Sequence, residues 1–428
     1  MSSPTWLGQV LTHPITLHAL QKTITASIIG FTAPNSILRP ACLPIQLILA
    51  SLVCSTTALD GLNSAVRFSI TLCVKGVIFQ ECVAYLDQAV LSRWTFEAKG
   101  PTAFFPPTER KTTPHSNGKI QQQASGSARA RFLFGLSVSC DRRLLNTPWE
   151  VKNCPRFSSK DKDYVPSRSR FLLKATTVFV ACCLFFDFVS VASAMHQPVL
   201  SDFAPDKVPF FTRLDEVTAG EFVTRLIVSL MHWVGGYFFL QAAYYSAAIP
   251  SVLLGGEVRG WRPAFGRLSE LYSIRKFWGT VWHQFLRHNF ATPAGFLAHS
   301  VLRLPSRGLV QRYIKLFLVF LFSGLVHLVI EVKAEVGIRL RDSGALRFFL
   351  MQAVGIVIED AVQAGWRRVS GGGGRSGAVW KKVVGAVWVV VFLAWSTPCW
   401  GFPYVIHNDP GADRPLPFSV AAMLLGRR

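Results

Sequence analysis

His283 lies in the stretch RKFWGTVWHQFLR, Arg275 to Arg287, with Phe277, Trp278, Trp282 and Phe285 around it and cations at both ends. His327 is the one imidazole in LFLVFLFSGLVHLVI, Leu316 to Ile330, a run without an acidic or basic residue, and the small residues Ser323 and Gly324 precede it. Imidazole titrates near neutral pH and suits proton abstraction from a hydroxyl. An unpaired imidazole in lipid is costly, so His327 should face the inside of a helical bundle, either as a functional group or satisfied by a neighbouring helix. The His283 stretch also has two readings. One is an interfacial anchor, with tryptophan at headgroup depth and cations on lipid phosphate; the other is part of a reacting site.

Other histidines carry less. His232 stands in an uncharged run, where helix packing competes with a pocket role. His288 follows His283 by five residues, which puts it on a different helical face, so a zinc pair is not expected. His327 and Glu331 are four apart, but no third metal ligand is apparent, and a carboxylate that orients the imidazole or closes the helix end is simpler. No CxxC pair occurs among the nine cysteines, and neither a disulfide framework nor a metal site is expected.

The elements that must hold these residues are membrane helices. Half of the 428 residues are hydrophobic, and the mean hydropathy is +0.33. Leu226 to Leu254 runs 29 residues without Asp, Glu, Lys or Arg, when about 20 cross a bilayer core. Val383 to Ile406 is a second uncharged run; 41–58, 171–194, 314–332 and 345–365 are weaker candidates, and 10–30 and 65–91 could span, re-enter or lie on the surface. The expectation is an all-α polytopic bundle of about six to nine membrane helices. The first twenty residues lack the pattern of a cleaved signal, so insertion is expected to use internal spans.

Lys and Arg number 45 against 24 acidic residues, a net charge of +21 that points to an anionic partner. Hydrophobicity disfavours nucleic acid and favours membrane lipid or an anionic small molecule. Residues 99–170 hold 14 basic against 5 acidic residues and 256–315 hold 10 against 2, whereas the loop 195–224 is acidic. The positive-inside tendency puts both basic segments on the cytoplasmic face. Three segments follow: N-terminal membrane helices over 1–98, a basic cytoplasmic loop over 99–170 that is flexible within 100–130, and a core over 171–428 with GGGG at 371–374 as a hinge or linker. Residues 256–315 are too aromatic for a disordered linker and too basic to cross, which fits short amphipathic helices at the interface. A buried base beside a basic face suggests transfer from a soluble phosphorylated donor, of which coenzyme A is one.

FWGTVWHQF at 277–285 followed by SGLVH at 323–327 resembles the paired signatures of the wax-synthase branch of the membrane-bound O-acyltransferases. TPWEVKN at 147–153, LSRWTFE at 91–97, WRPAFGRLSELYSIRKFW at 261–278 and WSTPCWGFP at 395–403 extend the similarity over most of the chain from about residue 31. The chain is most similar to the fungal acetyltransferases that acylate terpenoid and meroterpenoid hydroxyls in secondary-metabolite pathways. The resemblance implies a bundle pierced by a central tunnel in an endoplasmic reticulum membrane, with acetyl-CoA arriving from the cytoplasm and a hydrophobic alcohol from the membrane or lumenal side. It implies His327 as catalytic base and His283 at the position that completes the active site. Trp278 and Trp282 would then shape the pocket, and Arg275, Lys276 and Arg287 would hold CoA phosphates or, equally, anionic lipid.

Two other readings fit the same residues: a wax-ester synthase that joins a long acyl chain to a fatty alcohol, and a transporter or scaffold in which His327 relays protons or only packs. Repeated hydropathy between halves, the usual mark of a transporter, is not seen. HxxxD, HxxxxD, GxSxG, HExxH and GxxxxGK[ST] are all absent, which disfavours soluble acyltransferases, serine hydrolases, zinc proteases and ATP-driven pumps. Neither the acceptor hydroxyl nor an oligomeric state is written in any motif.

Overall fold

A computed structural model of the chain describes residues 13–55, 77–103, 126–195, 199–305, 308–333, 338–369, 379–407 and 419–426. The GGGG stretch, most of 100–130 and part of 65–91 lie outside these residues. In chain order the labelled helices are α1 (Pro14–Phe31), α2 (Leu43–Ser55), α3 (Ala128–Cys140), α4 (Arg168–Met195), α5 (Ala219–Leu253), α6 (Arg287–Phe296), α7 (Leu309–Lys333), α8 (Ala345–Val369), α9 (Val379–Ser396), α10 (Pro398–His407) and α11 (Val420–Leu424). Among the described residues the only strand pairing is the short antiparallel ladder of Trp94–Thr95 with Gly100–Pro101.

Among the described residues, five helical segments are long and apolar enough to cross a membrane: Leu38–Ser55, Arg168–Met195, Ala219–Leu253, Leu309–Val332 and Val379–Ser396. The all-helical, multi-span architecture expected from hydropathy is therefore present. The run 383–406 is not one helix. Pro398 has no N–H to continue the ladder, so α9 ends at Ser396 and α10 starts afresh. Segment 345–365 is helical as α8 but does not join the five, since Gln352, Glu359 and Asp360 interrupt its apolar run.

Contacts divide the chain into two units. The described parts of Met1–Gly61, Thr71–Lys152 and Phe285–Val329 form the first. There α3 lies directly on α1, because Gly135 has no Cβ; one added there would stand 2.0 Å from the carbonyl oxygen of Ala26. Helices α1 and α2 share amides in an apolar setting, the Gln46 side chain donating to Gln21 O at 3.3 Å and to Thr25 Oγ1 at 3.2 Å. Ile28, Ile29, Tyr85, Trp94, Val138 and Leu144 form the apolar centre. The basic segment 99–170 is thus partly built into the fold, as α3.

Asn153–Gln284 and Ile330–Arg428 supply the second unit, which takes the last turn of α7. Thr218 starts α5 as a capping residue, its hydroxyl accepting from the Glu221 amide at 3.1 Å. Helices α4 and α5 pack through Phe171, Ala175, Tyr245, Ala248 and Val252. Asp187, buried in α4, accepts from the Ala421 amide at 2.8 Å and so docks α11.

Candidate active site

The aromatic stretch around His283 is not a continuous helix. Ile274–Lys276 makes one helical turn, Phe277–Val281 a π-turn, and the backbone becomes extended at Trp282. The break is held by Gln284, whose side-chain N–H groups reach the carbonyls of Trp278 at 2.9 Å and Trp282 at 2.7 Å. Helix resumes only at Arg287. The helical-face spacing assumed between His283 and His288 therefore does not apply: the i→i+5 hydrogen bond from Trp282 N to Phe277 O ends the first helical segment.

Three neighbours fix this broken turn within the second unit. Glu359 of α8 accepts from the backbone amides of Ile274 at 2.5 Å and Arg275 at 3.2 Å, a carboxylate set against unsatisfied N–H groups at a helical start. Trp388 of α9 donates to the same carboxylate at 3.0 Å. Gly266 presses on the π-turn from the other side: its N–H donates to Val281 O at 2.9 Å, and a Cβ there would lie 2.1 Å from Thr280 O.

Above the turn stands an aromatic enclosure centred on Trp233 of α5. Its ring lies 5.1 Å from Phe277, 5.8 Å from Trp278, 5.0 Å from Trp282 and 5.8 Å from Phe348. The indole nitrogens are anchored in turn, Trp233 donating to Thr397 Oγ1 at 3.0 Å and Trp278 to Gln352 Oε1 at 3.2 Å. The half-buried His283 ring is 5.7 Å from Trp282 and 6.1 Å from Phe265. The structure thus brings Trp278, Trp282 and His283 together in one aromatic wall. It adds Trp233, Gln352 and Glu359, whose roles no motif signalled; their one trace in sequence is the seven-residue spacing of Gln352 and Glu359, two turns along the same face of α8.

The expected phosphate-binding cations have protein partners. Arg275 pairs with Asp360 at 2.6 Å, and Lys276 with Glu270. The Lys276 ammonium holds the Glu270 carboxyl below the usual 4.5. Burial works against the Lys276 charge, but the bond to Glu270 outweighs it and raises the ammonium above 10.5. Arg287 belongs to the first unit and donates to Lys152 O at 3.4 Å.

His327 also belongs to the first unit, half-buried on α7 between buried Val326 and the start of the last turn. One turn on along the same helix is Glu331, buried, accepting from Ser343 Oγ and from Trp400 Nε1. Trp400 in turn lies 4.6 Å from the His232 ring. His232 therefore takes part in the packing of α5 against α10 through an aromatic contact. His288 is buried in the first unit against Asp87, Nε2 to Oδ2 at 3.2 Å. Among the described residues no three His, Cys, Asp or Glu side chains gather as metal ligands.

Residues 261–351, which hold the broken turn, His283 and His327, match the profile of the membrane bound O-acyl transferase family. Relatives cover far more of the chain. Acetyltransferase aurG of Calcarisporium arbuscula is 33% identical over 89% of this chain and 90% of its own. Acetyltransferase fsoF of Humicola fuscoatra is 35% identical over 78% and 82%, and acetyltransferase ataH of Aspergillus terreus is 34% identical over 69% and 96%. No solved structure matches the chain. With five apolar helices and similarity on this scale, the chain belongs to the membrane-bound O-acyltransferase family and is an integral membrane acyltransferase.

Proposed function

We propose that this protein moves an acetyl group from acetyl-CoA to a hydroxyl of a terpenoid or meroterpenoid intermediate in secondary-metabolite biosynthesis, as a multi-pass protein of the endoplasmic reticulum. The supporting observation is the enclosure itself: an imidazole against Trp282 and Phe265, beside the anchored indoles of Trp233 and Trp278. Such a wall suits a rigid apolar alcohol and limits water, which would otherwise hydrolyse the thioester. The relatives are named acetyltransferases, which favours a short acyl group.

In this reading His327 is the base. As the acceptor oxygen attacks the thioester carbonyl carbon, its proton passes to the His327 imidazole, and the carbonyl oxygen becomes the oxyanion of a tetrahedral intermediate. His283 donates an N–H to that oxyanion or orients the acceptor. Collapse breaks the C–S bond, and the CoA sulfur takes the proton from the His327 imidazolium, leaving ester and free CoA. No acyl-enzyme is required, and holding both substrates together supplies much of the rate. Trp278 and Trp282 shape the acceptor pocket. Arg287 is a donor-phosphate candidate, while Arg275 and Lys276 serve only by leaving Asp360 and Glu270.

Microsomes carrying wild type, His327→Ala or His283→Ala, matched for expression, test this with radiolabelled acetyl-CoA and an extract of terpenoid alcohols. Label in an organic-soluble ester with wild type and its loss in His327→Ala would support the assignment. Label from palmitoyl-CoA and none from acetyl-CoA would move it to wax-ester synthesis.

A further inference from the structure

We infer that a cleft at the start of α4 binds a phosphate ester and, resting on the acyl-CoA reading above, that it receives the nucleotide end of the donor. The cleft is lined by Tyr164, Arg170, Lys174, Tyr245, Trp261 and Pro263 among others, and none of its lining residues is acidic. Arg170 and Lys174 stand four apart on one face of α4, where like charges repel. Among the described residues neither has a carboxylate partner; Arg170 instead donates to the Tyr164 hydroxyl at 3.1 Å, which orients its guanidinium. This contrasts with Arg275 and Lys276, whose charges Asp360 and Glu270 already meet.

The aromatic side of the cleft is built in advance. Trp261 donates to Ser251 Oγ at 3.1 Å and lies 5.3 Å from the Tyr244 ring, and Tyr244 donates to Arg262 O at 2.6 Å. Two cations beside fixed rings match a phosphate carried on a flat base.

Position favours the donor over a lipid headgroup. Trp261 lines the cleft and Phe265 lies against His283. Those two residues are four apart, so the chain between them spans at most about 14 Å. A phosphate bound at Arg170 and Lys174 therefore places a long thioester arm within reach of the His283 wall.

The test uses the full chain in nanodiscs of neutral phosphatidylcholine, with binding of radiolabelled CoA and of dephospho-CoA measured by equilibrium dialysis. Arg170→Gln and Lys174→Gln keep helix-forming side chains on an exposed face, and Lys160→Gln is a control outside the cleft lining. We expect each cleft variant to weaken CoA binding about tenfold, with the control unchanged. A second arm adds phosphatidylserine to the nanodiscs and follows the thermal midpoint. Unaltered CoA affinity, with a phosphatidylserine-dependent rise in wild type that the double variant loses, would assign the site to lipid and overturn the donor assignment. No difference between wild type and double variant in either arm would overturn the site altogether. If wild type binds no CoA, the donor reading fails, and the lipid arm alone decides the cleft.

Discussion

The indole of Trp278 donates to Gln352 Oε1 at 3.2 Å, and the same amide of Gln352 donates to Ser396 Oγ at 3.2 Å. A single buried side chain on α8 therefore joins the aromatic wall beside His283 to the end of α9. Seven residues further along α8, Glu359 holds the helical start that precedes that wall. The support is polar because the broken turn exposes backbone and indole N–H groups that apolar neighbours cannot satisfy.

Replacing Gln352 by Leu removes an acceptor from a half-buried indole and leaves the Ser396 hydroxyl short of a partner. The expected cost is about 1–3 kcal/mol in stability, with a fall in acyl transfer because the Trp278 ring loses its anchor. Gln352→Glu keeps the acceptor toward Trp278, so it should retain more activity than Leu. Thermal unfolding in detergent alongside microsomal turnover checks both; equal activity in the two variants would remove the anchor role.

Gly266→Ala puts a methyl group 2.1 Å from Thr280 O, a backbone atom that yields only if the π-turn shifts. Overpacking of this kind costs about 1–3 kcal/mol. Because the turn carries Trp278 and leads into His283, activity should fall more than stability alone explains. Gly260→Ala, with nothing within 4 Å of the added carbon, is the matched control and should leave both quantities near wild type.

Much of the membrane architecture was readable because an uncharged run of helical length has few alternatives. Leu226 to Leu254 lies almost wholly within α5, and the imidazole of SGLVH stands on the α7 span as anticipated. The break at Trp282 was not readable. A π-turn differs from an α-turn by one residue of hydrogen-bond register, and Gln284, which holds it, looks like any polar residue beside an aromatic cluster. Nor did composition show that Glu359 and Gln352 are supports. In the sequence they are interruptions of a weak span, and their meaning comes from groups between 29 and 85 positions away. Arg275 and Lys276 read as candidates for CoA phosphate or anionic lipid, and their partners, Asp360 and Glu270, declare themselves only in three dimensions.

The Glu270–Lys276 pair gives a pH signature. Glu270 titrates below 4.5 in the folded chain because Lys276 donates to it, so its contribution is present above the unfolded value and lost as pH falls through the depressed one. Lys276 titrates above 10.5; its contribution is complete below the unfolded value and lost as pH rises through the raised one. Both side chains are about one-third exposed, so the pair contributes no more than about 1 kcal/mol. The midpoint difference between wild type and Glu270→Gln should be flat from about pH 6 to 9 and vanish in acid below the depressed carboxyl value. A difference that persists there would mean that packing, and not charge, holds the contact.

Asp87 and His288 make the sharpest stability test. Their side chains are 0% and 2% exposed, and the contact ties the π-turn Leu86–Leu91 to the first turn of α6. Asp87 also accepts from Ser92 Oγ at 2.8 Å. Removing one partner leaves the other desolvated, a loss on the order of 3–5 kcal/mol when the remaining group is charged. Asp87→Leu and His288→Leu should therefore each lower the thermal midpoint strongly. The double variant removes both desolvated groups and fills the space with apolar volume, so it should recover part of that loss. Double-mutant analysis by thermal unfolding separates the outcomes. A positive coupling energy identifies the pair as one interaction, whereas strictly additive losses would mean that Asp87 acts through Ser92 and that His288 is held by its packing alone.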